Sequence, residues 1–178
     1  MTDFHRMSQP LLRHITLIRH AKAEDDGQTQ DHLRHLNARG KEDAAILGDW
    51  LRAQKAAPGL IVCSTALRTR ETLEALAFAQ TSVILEAKAY LASAGELLSL
   101  LQQTDDAVSH VALIAHNPGL HQLAATLAES VANPTDEDKL LLKFPTCACA
   151  QFSLTLDRWA DLVLHSARLD QLRFPADG

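Results

Sequence analysis

The chain has 178 residues, enough for one domain with a full core and too few for two of ordinary size. With 47% apolar and 22% charged residues, its composition is that of a globular protein and excludes a disordered or fibrous one. A formal net charge of -5 without any basic tract argues against nucleic acid as a main partner, because phosphate backbones demand clustered Lys and Arg. Cys63, Cys147 and Cys149 have no C-x-x-C spacing and read as buried free thiols of a reducing compartment. The first thirteen residues hold Asp3, His5, Arg6 and Arg13 without an apolar h-region, and no run of about 18 apolar residues occurs. We therefore expect a cytoplasmic protein with no membrane contact, a single domain over residues 1–178 with a loose arm over 1–12.

His14-Ile15-Thr16-Leu17-Ile18-Arg19-His20-Ala21 is an apolar run that ends in an arginine and a histidine, and it reads as a buried parallel strand. Arg19 and His20 fall at its carboxyl end, where open α/β sheets bind ligands. The pair suits phosphate: a guanidinium fork binds two oxygens, and a neutral imidazole can attack phosphorus and carry the phosphoryl group. The polar stretch from Lys22 to Leu36 reads as a substrate-contacting loop. His32 and His35 within it are three apart but lack a further metal ligand at a convincing spacing.

Asn37 is an N-cap for a helix with Ala44, Leu47, Trp50 and Leu51 on one stripe, ending before Pro58-Gly59. Leu60 to Cys63 form a second strand. Ser64 then caps a helix that carries Leu73, Leu76 and Ala77 inward and Arg68 on its first turn. Ser82 to Leu85 read as a third strand, Glu96 to Gln103 as a third helix and Val111 to Ile114 as a fourth strand. That strand ends in Ala115-His116-Asn117-Pro118-Gly119, with Asn117 as cap and Pro118 at the first helical position. The helix that follows buries Leu120, Leu123, Ala124, Leu127 and Ala128. Residues 131 to 139 read as a polar loop, and Ala148 to Leu156 pair with Trp159 to His165 in a hairpin turning at Asp157-Arg158. Strands alternating with helices predict an α/β sandwich with a mostly parallel central sheet.

Three strand–helix junctions thus deliver Arg19 with His20, Arg68, and His116 to one rim. If the three strands are neighbours, these side chains converge on one anion-sized hole. On these residues the chain resembles the histidine phosphatase superfamily, in its small phosphohistidine phosphatase (SixA-like) branch. The resemblance is carried by Leu17-Ile18-Arg19-His20-Ala21-Lys22, Leu36-Asn37-Ala38-Arg39-Gly40, Cys63-Ser64-Thr65-Ala66-Leu67-Arg68-Thr69-Arg70-Glu71-Thr72, Ala115-His116-Asn117-Pro118-Gly119 and Phe144-Pro145-Thr146. Ala21 stands where the superfamily commonly has glycine, and Thr65 where it has proline.

The resemblance implies a phosphoglycerate-mutase-like fold, a three-layer sandwich whose central sheet is flanked by helices. It implies that His20 is the nucleophile that becomes phosphorylated and that Arg19, Arg68 and His116 bind the phosphoryl oxygens. Asn37 is placed by the same analogy at the edge of the pocket, with helix capping as its other reading, and Lys22 is a further candidate substrate contact. No metal or cofactor is implied, since two arginines and a histidine supply the positive charge that a transferring phosphoryl group needs. Where many relatives carry a glutamate to protonate the leaving oxygen, this chain has Lys88-Ala89-Tyr90-Leu91-Ala92-Ser93, flanked by Glu86 and Glu96. An alkoxide needs that proton and a protonated phosphoimidazole needs less help, so the expected substrate is a phosphohistidine-bearing protein. Glu24, Asp25 or Asp26 remain as acids for the alternative, a small-molecule phosphomonoesterase. A non-catalytic phosphate-binding module is the third reading, and a monomer is permitted.

Overall fold

The computed structural model describes residues 11–54 and 57–176, so the arm expected over 1–12 falls almost wholly outside the described residues. The strands are β1 (Leu12–Arg19), β2 (Leu60–Ser64), β3 (Ser82–Glu86), β4 (His110–Ala115), β5 (Ala128–Val131), β6 (Cys149–Thr155) and β7 (Ala167–Arg173). They form one sheet in the order β3-β2-β4-β1-β6-β7-β5. Pairing is parallel except where β6 meets β1 and β7. The helices are α1 (Ala38–Ala53), α2 (Leu67–Leu76), α3 (Ala94–Gln102), α4 (Gly119–Leu127) and α5 (Pro134–Leu142).

The alternation of side chains along each strand divides the core between the two faces. Ile15, Leu17, Leu60, Val62, Val111 and Leu113 pack with Leu97 and Leu101 of α3 and Leu120 and Leu123 of α4. Ile18, Ile61, Cys63, Ala112 and Ile114 pack with Leu47 and Leu51 of α1 and Leu76 of α2. The result is the expected three-layer α/β sandwich. All three cysteines are free and buried, and burial pushes the thiols of Cys63 and Cys147 up to about 12. Among the described residues no helix is long and apolar enough to cross a membrane.

Several local expectations are corrected. Ser64 is the last residue of β2, and Ala66 takes the N-cap position of α2. Ala77 ends α2 exposed, with a left-handed φ of 51°, and Ala128 has left α4 to begin β5. Trp50 is only half-buried, lying under the Arg173 guanidinium 4.9 Å from its ring centroid. Asn117 does not cap α4, because Pro118 is the N-cap and Gly119 the first helical residue. The polar stretch 131–139 contains a helix rather than a loop. Asn133 caps it, Pro134 occupies its first turn and Asp136 and Glu137 favour its positive end, while Leu140 is the one residue it buries. A stripe so narrow leaves no periodic signal.

The terminal hairpin is displaced as well. Trp159–Asp161 is a 3-10 turn, and the partner of β6 is β7, further along the chain. Trp159 is drawn into the core, where its indole N–H donates to the Val108 carbonyl at 2.8 Å and Arg13 lies over its ring at 5.5 Å.

Candidate active site

β2, β4 and β1 are adjacent, so their carboxyl ends share one edge. Arg19 is in register with Ala115, which sets His20 and His116 side by side just past the strands, ring centroids 5.1 Å apart. Arg68, on the first turn of α2, reaches both rings. Its Nε donates to His20 Nε2 at 3.3 Å and its Nη2 lies 3.3 Å from His116 Nδ1. Arg19, Lys22 and Arg34 complete the basic wall of a cavity of about 350 Å³ that Asp25, Leu91 and Thr146 also line.

His20 is 8% exposed and held on several sides. Its amide donates to the Ala115 carbonyl at 3.2 Å and its own carbonyl accepts from Cys147 at 3.0 Å. Thr72 Oγ1 accepts from the next amide, Ala21, at 2.9 Å and donates to the Arg68 carbonyl, so one hydroxyl ties the two motifs together. Gly40 allows α1 to press against the chain just beyond, since a Cβ there would overlap the Lys22 carbonyl oxygen. The imidazole Nδ1 lies 2.8 Å from the Ala21 carbonyl. A carbonyl only accepts, so Nδ1 carries the proton and Nε2 keeps its lone pair.

Electrostatics favour that form. Burial, with Arg68, Arg19 and Arg34 adding to it against the Ala21 carbonyl, pushes the pKa of His20 down to about 4. Burial, then His20 and Arg68, push His116 down to about 3. Both rings are therefore neutral near pH 7. Arg19 donates from Nη1 to the Phe144 carbonyl at 2.9 Å, an oxygen it shares with Asn117 Nδ2 at 2.8 Å. Its buried Nε has no hydrogen-bond partner among the described residues. Cationic donors around an unprotonated imidazole nitrogen suit a tetrahedral oxyanion undergoing transfer to that nitrogen.

The loop after β1 folds back over this site. Asp31 Oδ2 accepts from Arg68 Nη2 at 2.9 Å and from the Tyr90 hydroxyl at 2.6 Å, and its carbonyl accepts from Arg68 Nη1 at 2.5 Å. Tyr90 first, then Arg68 and Arg34, hold the Asp31 carboxyl well below the usual carboxylate range. His32 packs edge-on to Tyr90 at 4.8 Å and meets Thr65 Oγ1 at 3.0 Å, whereas His35 pairs with Glu71 at 2.6 Å.

Of the residues singled out in the sequence, Arg19, His20, Lys22, Arg68 and His116 are brought together. Asn37 is not among the lining residues. Its side chain accepts from the Gly40 amide at 2.8 Å as the cap of α1. Glu86 accepts from the Lys88 amide and Glu96 closes a capping box with Ser93. Asp26 binds the amides of Gln28 and Thr29 in its own turn. Sequence reasoning missed Asp31, Ser64, Thr72 and Tyr90. Only Tyr90 gave a signal, as the single tyrosine in the very stretch searched for an acid.

Residues 15–92 match the profile of the histidine phosphatase superfamily (branch 1). The uncharacterized protein ML1117 of Mycobacterium leprae is 30% identical over 162 residues, 89% of this chain and 99% of the relative. Phosphohistidine phosphatase SixA of Escherichia coli is 28% identical over 148 residues, covering 80% of this chain and 85% of its own. A SixA-type structure from Nakamurella multipartitia superposes with a TM-score of 0.84 at 30% identity, over 95% of this chain and 99% of that one. Sequence and fold thus agree along nearly the whole length, and the chain belongs to the histidine phosphatase superfamily as a SixA-like phosphatase.

Proposed function

We propose that this phosphatase removes the phosphoryl group from a phosphohistidine-bearing protein in two transfers through His20, without a metal. The observation that carries the reading is the state of His20: neutral, with its proton fixed on Nδ1 by the Ala21 carbonyl and its Nε2 lone pair facing Arg68 and the cavity. In the first transfer that lone pair forms a bond to phosphorus as the bond to the substrate imidazole breaks. The imidazole leaves neutral once its other nitrogen carries a proton. In the second, a water oxygen bonds to phosphorus, the electron pair of the breaking bond returns to Nε2, and inorganic phosphate departs. Arg19, Arg68 and His116 hold the three equatorial oxygens in both steps, supplying preorganised positive charge and hydrogen bonds.

Preference for a phosphorus–nitrogen bond is supported by where the nearby carboxylates are spent. Glu86 and Glu96 serve backbone amides, and Asp31 is held ionised by Tyr90 and Arg68. The similarity to the E. coli phosphohistidine phosphatase points the same way. One observation favours a second reading, a small-molecule phosphomonoesterase: Asp25 lines the cavity, 3.8 Å from Arg34, and a carboxyl is the group that an alkoxide leaving group requires. Rapid quenching of the enzyme mixed with phosphohistidine-labelled protein tests the covalent step. The expected result is an acid-labile, base-stable label on the enzyme that His20→Ala abolishes. Turnover with no label on the wild type, or equal label on the variant, would refute it.

A further inference from the structure

The geometry points to Ser64 as a positioning residue that fixes the tautomer of His116, so that its Nδ1–H faces the phosphoryl site. The inference rests on the reading of the cavity as a phosphoryl pocket. Ser64 is the last residue of β2 and fully buried, and His116 is 1% exposed. Ser64 Oγ lies 2.8 Å from His116 Nε2 and accepts from the Ala66 amide at 3.4 Å. Among the described residues, His116 Nε2 is the one acceptor within reach of the Ser64 hydroxyl proton.

Two arrangements of protons fit the 2.8 Å contact. If Nε2 were protonated, Ser64 Oγ would accept from both Nε2 and Ala66, and the buried hydroxyl proton would have nowhere to go. Leaving a buried donor unmade costs about 1–3 kcal/mol. If instead Ser64 donates to Nε2, every group at that end is satisfied and the ring proton sits on Nδ1. Nδ1–H then stands 3.3 Å from Arg68 Nη2, another donor. A guanidinium nitrogen only donates, so this contact taken alone favours a bare Nδ1. The Ser64 contact, the shorter of the two at 2.8 Å, opposes it, and an anionic oxygen accepting from both nitrogens removes the conflict.

The tautomer matters because burial keeps this ring neutral, so it has one N–H to offer. With the proton on Nε2, the ring would present a lone pair to the phosphoryl oxygens and repel them. In Ser64→Ala the hydroxyl is gone, and donation from Arg68 Nη2 to Nδ1 favours that unproductive form. The change removes one oxygen, whose other contact is the Ala66 amide at 3.4 Å, and Ser64→Thr retains the hydroxyl.

The test is long-range 1H–15N correlation on protein labelled with 15N-histidine, with the His116 signals assigned by their loss in His116→Gln. Wild type and Ser64→Thr are expected to show His116 protonated at Nδ1. Ser64→Ala is expected to move the proton to Nε2 and to lower kcat on phosphohistidine protein about 10²-fold, the scale of losing one preorganised donor. Protonation of wild-type His116 at Nε2, or an unchanged tautomer in Ser64→Ala, would overturn the assignment. Because the spectrum is read without substrate, a tautomer that follows Ser64 supports the inference even if phosphohistidine proves not to be hydrolysed.

Discussion

Arg68→Met isolates the charge at the centre of the site. The substitution keeps an unbranched chain of similar reach but removes the guanidinium, which is buried at the residue level and meets His20, His116 and Asp31 together. Two of its donors face the histidines, and removal of a single preorganised donor costs about 10²–10³ in kcat. Loss of two donors and a full charge should therefore lower kcat by about 10³-fold or more, near 4 kcal/mol of transition-state stabilisation. Stability should change little by comparison, because the Asp31 side chain left behind is 46% exposed and water can solvate it. The assay is phosphate release by wild type, Arg68→Met and Arg68→Lys, with urea unfolding of each as a control. Arg68→Lys should recover part of the rate through its charge but not the fork of donors. A folded Arg68→Met enzyme within tenfold of wild type would refute the reasoning.

Other predictions concern acid stability, packing and metals. Burial holds His20 at about 4 and His116 at about 3, below the unfolded value near 6.5, so between those values the unfolded chain binds more protons than the folded one. Stability must then rise with pH across that window and be lost as pH falls through it. Urea midpoints should drop between about pH 7 and about pH 4.5, and less steeply in His116→Asn; equal slopes would contradict a buried neutral ring. In Gly119→Ala the new Cβ would overlap the Ala92 carbonyl oxygen, backbone against backbone, and should destabilise by about 1–3 kcal/mol in urea unfolding. An unchanged midpoint would show that α4 does not need so close an approach. Dialysis against a chelator should leave phosphate release intact, whereas loss restored by a divalent ion would contradict a metal-free mechanism.

The parts of the fold legible in the sequence are those with a strong apolar signal. The runs Leu60–Cys63 and Val111–Ile114 are buried on both faces and have no competing reading. Chain order put Arg19, His20, Arg68 and His116 at strand ends, and their convergence, conditional on neighbouring strands, follows because β4 lies between β1 and β2. What was illegible depends on single contacts across long separations. α5 buries one residue, Leu140, so its polar composition looked like a loop. Trp159 reads as a strand residue until the Val108 carbonyl and Arg13 are there to receive it. Asp31 and Tyr90 are 59 residues apart and acquire meaning only when Arg68 lies beside them. Ser64 looked like a helix cap because its real partner, His116, is 52 residues away.

The central claim is that His20 transfers phosphate from phosphohistidine, and the most direct measurement is phosphate release from a phosphohistidine-labelled protein beside a generic phosphomonoester, with His20→Ala run on both. The account predicts fast, His20-dependent release from the labelled protein and little from the ester. A preference of two orders of magnitude or more for the ester would contradict it, leaving the fold and the nucleophile in place and moving the substrate to small phosphate esters with Asp25 as the proton donor.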